Sequence, residues 1–172
     1  MNASADPSQR RQDAAVCVAL AVQCIEVFLN VYFRRLIESE RFNDARARIL
    51  ADLEKQIGLE QKIEQWPNLV FNRGFSKSSG VGQRVHKLRK TRNALMHFQN
   101  QNETFEPPDS NVAYHGLSNT TVFDSLKIAD ALQALETAES FVLEIFKMQD
   151  VSEDQLPPAM RQWTDKWPAQ VK

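Results

Sequence analysis

AAVCVALAVQCIEVFLNVYF, residues 14–33, is the stretch whose reading decides the fold. Its polar side chains Gln23, Glu26 and Asn30 are spaced three and four apart, which puts them on one stripe of an α-helix. A bundle helix accounts for such a stripe better than a membrane span does. The helix is expected over residues 13–41, with Val16, Leu20, Val27 and Val31 among its apolar positions. The preceding MNASADPSQRRQD is polar and lacks a charged-then-apolar design, so no signal peptide is expected, and residues 1–12 read as a disordered arm.

Three more helical patterns follow. Residues 43–65 carry Ile49, Leu50, Leu53, Ile57 and Leu59 behind a capping pair, Asn43 and Asp44. Residues 82–98 follow the Ser/Gly-rich loop SKSSGVG. Residues 121–148 place Leu126, Ala129, Leu132, Leu135, Ala138, Val142 and Phe146 at helical spacing. Residues 99–120, rich in Asn and Pro, read as a long loop, and the tail after Asp150 has room for one short helix. With five Gly and seven Pro in 172 residues, and scattered β-branched residues, strands are disfavoured. The expectation is therefore one all-α domain over residues 13–150: a bundle of four main helices, with residues 151–172 packing on the body or on a second subunit.

Cys17 and Cys24 lie two helical turns apart, about 10 Å, too far for a disulfide within the helix. Without an export signal they read as reduced, buried thiols of a cytoplasmic protein.

Charge is distributed unevenly. The net charge is −1, yet residues 65–102 contain no Asp or Glu and carry Arg73, Lys77, Arg84, Lys87, Arg89, Lys90 and Arg92. That window sums to +7, so the remainder sums to −8. Such a cluster is the usual electrostatic footprint of RNA or DNA backbone contact, and Arg73, Lys77, Arg84, Lys87, Arg89 and Lys90 become candidates for RNA contact. The competing reading is a solvated helix face offset by the acidic faces of neighbouring helices.

The basic run leads into Arg92-Asn93-Ala94-Leu95-Met96-His97. On a helix, Asn93 and His97 share a face, whereas Arg92 and His97 stand about 140° apart and flank a groove. A histidine near neutral pKa can take a proton from a ribose 2′-hydroxyl or give one to a leaving 5′-oxygen. An arginine can stabilise charge gathering on phosphorus, and Asn93 can orient either partner.

RKTRNALMHF resembles the motif helix of the HEPN superfamily, in which an Arg, a polar residue, three more residues and a His lie on the third core helix. The resemblance covers roughly residues 14–148. It implies a metal-independent endoribonuclease that cleaves by 2′-hydroxyl attack, with no cofactor. It also implies a homodimer whose facing motifs supply a second His97, since one imidazole cannot be acid and base at once. Such domains often serve as toxins or in defence against phage, sometimes with an antitoxin or regulatory partner. Phe98 and Gln99 stand where some HEPN toxins carry a tyrosine that accepts AMP, so control by that route is not expected. A non-catalytic HEPN dimer, binding RNA or a nucleotide, is the alternative.

Other residues are weaker candidates. Glu26, in an apolar helix, is assigned to the catalytic set as a group that could orient Arg92 or His97. His86 reads as a backbone-contacting or exposed residue. His86, His97 and His115 lack the grouping of a metal site. SKSSGVG lacks the ending of a phosphate-binding loop, which removes nucleotide hydrolysis from consideration. Trp163 and Trp167, four apart, are expected to pack on the body or on a second subunit rather than stack bases.

Overall fold

The computed structural model describes residues 6–96, 104–105, 114–115, 121–161 and 163. These are helical throughout, apart from short turns and a two-residue antiparallel ladder pairing Thr104 with His115 and Phe105 with Tyr114. The helices are α1 (Pro7–Leu36), α2 (Asn43–Glu54), α3 (Leu59–Phe71), α4 (Gly80–Met96), α5 (Thr121–Ser125), α6 (Ile128–Met148) and α7 (Leu156–Arg161). The two strands of the ladder interrupt the expected loop of residues 99–120.

Several boundaries differ from expectation. Residues 7–12 belong to α1, because the Asp6 carboxylate accepts the Ser8 N–H at 3.1 Å and Pro7 fits the first helical turn. The pattern over residues 43–65 is two helices. The chain turns at Gln56, whose φ is 51°, and restarts at Gly58, whose N–H donates to the Gln61 side chain. The pattern over residues 121–148 also divides. The Lys127 N–H donates to the Asp130 carboxylate at 2.8 Å, which caps α6 afresh after α5.

α1 is the axis of the bundle. Ala14 meets Leu126 and Ala131, while Phe28 meets Phe141 and Phe146, so α1 and α6 run parallel. α4 runs antiparallel to both: Leu95 reaches the Ala14 end, and Phe75, just before α4, stacks on Phe141. On the third side Trp66 and Phe71 of α3 pack against Phe33. The core contributed by α1 is Val18, Ala21, Val22, Ile25, Phe28, Leu29 and Phe33.

Val16, Leu20 and Val27, expected in the core, are instead exposed, as are Leu132 and Leu135 of α6 and Ala129 beside them. A helix apolar on nearly every side offers two candidate inner stripes, and packing by larger aromatics selected the other one. Cys24 is exposed and Cys17 half-buried, so neither thiol is sequestered. α1 is also the one described helix long and apolar enough to cross a membrane. Its most apolar 18-residue window has a mean hydropathy of 2.1 and is 39% buried by this packing.

Candidate functional site

α4 carries six of the candidate cations and residues, from Arg84 to Asn93. Its start is fixed by a close approach: a Cβ on Gly82 would lie 2.3 Å from the Ser76 carbonyl oxygen, so only glycine lets the preceding loop fold back there. Arg92 and Asn93 lie half-buried in the last turns, and the Arg92 guanidinium donates to Asn93 Oδ1 at 3.0 Å. His97 lies outside the described residues, as do Phe98 and Gln99; His115 falls in the short ladder.

The acid-free window is not free of acids in three dimensions. Glu60 and Glu64 of α3 reach across to it. Arg89 Nη2 lies 2.7 Å from Glu60, His86 Nδ1 lies 3.5 Å from the same carboxylate, and Lys77 bridges Glu60 and Glu64. The hydrogen bond from Lys77 holds the Glu60 carboxyl below its ordinary value, with the charges of Arg89, Lys77 and His86 adding to the effect. Lys77 is raised in turn, through Glu64 first and Glu60 second. Arg73 donates to Asp150 at 2.8 Å and to the carbonyls of Lys147 and Met148, capping the C-terminus of α6. Arg73, Lys77 and Arg89 are thus ion-paired within the fold. Arg84, Lys87 and Lys90 make no ion pair among the described residues.

Glu26 is not placed with Arg92. Its carboxylate accepts from Lys62 Nζ at 3.1 Å, and the ammonium also lies 5.7 Å from the Trp66 ring. The nearby Asp52 carboxylate accepts from Trp66 Nε1 at 3.2 Å and pairs with Arg48. These contacts tie α1, α2 and α3 together, and they make Glu26 a packing residue at the α1–α3 seam.

Sequence reasoning missed a cavity of about 220 Å³ between α4, α5 and α6. Arg84 and Lys87 stand at its α4 side, Val18, Leu88, Leu126 and Ala134 form apolar wall, and Thr91, Ser125, Gln133 and Thr137 add polar groups. The spacing of Arg84, Lys87 and Thr91 marks one face of α4, a signal legible only once the facing residues of α6 are known. Among the described residues no three His, Cys, Asp or Glu side chains gather as a metal site.

No protein-family model, curated protein or solved structure matches the chain.

Proposed function

We propose that the chain is a metal-independent endoribonuclease of HEPN type, acting on RNA as a homodimer. The observation that carries this reading is the cation sorting on α4. Arg84, Lys87 and Lys90 keep no carboxylate partner among the described residues, and they sit on the helix that carries Arg92 and Asn93, with His97 next in sequence after its last described residue, Met96. In this scheme the backbone lies along Arg84, Lys87 and Lys90. Arg92 faces the scissile phosphate, and Asn93 orients its guanidinium.

A His97 imidazole takes the proton of the 2′-hydroxyl as that oxygen attacks phosphorus. A second His97, from the other copy, protonates the leaving 5′-oxygen. The products are a 2′,3′-cyclic phosphate and a 5′-hydroxyl. A toxin or phage-defence role, with an antitoxin or regulator, follows from the resemblance.

The test is cleavage of a panel of RNAs in the presence of EDTA. Arg92→Ala and His97→Ala should each lower the rate by about 10²–10⁴-fold, while RNA binding survives His97→Ala. Cleavage retained in His97→Ala would remove this residue from the mechanism.

A second reading, a non-catalytic module binding a nucleotide, is favoured by the cavity beside Arg84 and Lys87. Wild-type protein that binds RNA or nucleotide and never cuts would establish it.

A further inference from the structure

Six of the nine large hydrophobic side chains exposed among the described residues fall on two helices: Val16, Leu20 and Val27 of α1, and Ile128, Leu132 and Leu135 of α6, each 46–57% exposed. Their positions around the helices put them on one side of the molecule. Around α1, Glu26 and Phe33 meet α3, Val18 meets the cavity against α4, and Phe28 and Tyr32 meet α6. At 100° per residue the next stripe is Cys17, Leu20, Cys24, Val27 and Val31. Around α6, Gln133 and Thr137 face the cavity, Ala131 and Phe146 meet α1, and Ile128, Leu132 and Leu135 come next. Both stripes therefore border the α1–α6 seam on the side turned away from α4.

The α1 stripe has a second property. Asp13 and Arg34, Val16 and Val31, and Leu20 and Val27 are each placed symmetrically about the midpoint between Gln23 and Cys24. Turned end for end, the centre of the stripe matches itself: Leu20 meets Val27, Val16 meets Val31, and the acid at one end meets the base at the other, while Cys17 and Cys24 at its margin fall opposite Asn30 and Gln23. Asp13 and Arg34 are both exposed, 21 residues or about 31 Å apart along the helix. That is the requirement of an isologous two-fold contact, in which each patch is its own complement.

We propose that this face binds a second copy of the chain. α1 packs antiparallel on the partner's α1, with Asp13 opposite Arg34 of the partner subunit and Cys24 beside the two-fold axis. Ile128, Leu132 and Leu135 border the N-terminal half of α1 and widen the contact there. The interface lies on the far side of the α1–α6 pair from α4, so it leaves the cationic surface of α4 open on each copy. It is distinct from a contact between motifs and does not depend on the ribonuclease reading.

The test uses the full chain in sedimentation velocity over a concentration series. Leu20→Glu should remove one step of self-association, halving the number of copies in the largest species whether or not a motif contact persists, while its circular dichroism is retained. Asp13→Arg and Arg34→Asp, both at exposed positions that leave the core intact, should each weaken association by roughly five-fold, and the double charge swap should restore it. In a Cys17→Ser background, a short bismaleimide should link Cys24 to the partner's Cys24. Association unchanged in Leu20→Glu, or no rescue by the double swap, would overturn the proposal. So would a chain that stays single at about 100 μM and instead floats with phosphatidylcholine vesicles, because the face would then belong to a membrane surface.

Discussion

At Glu60 one carboxylate serves two cationic side chains, Lys77 and Arg89, and lies beside the His86 imidazole, and its effect reaches both stability and charge. Its folded-state pKa is depressed, chiefly by the Lys77 hydrogen bond. The stabilisation is therefore present above the ordinary glutamate value and is lost as pH falls through the depressed one. Glu60→Gln should lower the thermal midpoint at neutral pH, and the gap to wild type should close on acidification below that window. The same change releases Arg89 on α4, while Lys77 keeps Glu64, so if RNA lies along α4 its affinity should rise at low salt with a steeper salt dependence. Equal affinity in the two proteins, measured by salt-graded binding, would place the RNA elsewhere.

α4 divides into two unlike faces, and the division makes a prediction at the level of the element. One face, with His86 and Arg89, is neutralised by α3; the other, with Arg84 and Lys87, lines the cavity. Replacing Arg84, Lys87 and Lys90 together by Glu should weaken RNA binding across sequences and flatten its salt slope by about one unit per lost phosphate contact. Arg73→Gln should leave binding nearly unchanged and instead loosen the C-terminus of α6, read as faster amide exchange near Met148. Equal losses of affinity in both variants would mean that net charge, rather than the α4 surface, attracts the RNA. The helical class and the approximate position of α4 were legible in the sequence because periodicity and local caps are local properties. The sorting of its cations was not, because Glu60, Glu64 and Asp150 reach them only through tertiary contact. Nor was the inner stripe of α1: Val16 and Val18 are equally apolar, and only the aromatic partners at Phe28 and Phe33 decide which side turns inward. The Lys62 partner of Glu26 was hidden for a related reason, since a lone acid on an apolar helix has the same pattern whether it meets Arg92 or Lys62.

Over the whole molecule, the point that joins distant parts of the chain is Phe28. Its ring stacks on Tyr32 at 5.0 Å between centroids and meets Phe141, Phe146 and Trp163 edge-on at 6.5, 6.0 and 4.9 Å. Beside it the Tyr32 hydroxyl donates to Gln149, and burial pushes its ionisation upward. Residue 163 thus closes the end of a core begun at residue 18, with α7 packed beside it on α6. Trp167 lies outside the described residues. If the C-terminal segment is part of the folding unit, its removal must be felt at Phe28. Phe28→Ala should cost about 3–5 kcal/mol, the range for a buried aromatic. Trp163→Ala, at a half-buried site, should cost about 1–2 kcal/mol, largely the lost edge-to-face contact and its apolar area. Because the two rings touch, the double variant should lose about 1 kcal/mol less than the two single losses added together. Urea unfolding with unchanged slope provides all four values. Simple additivity would mean that the segment carrying Trp163 does not close this core in solution, and the cooperative unit would then end at α6.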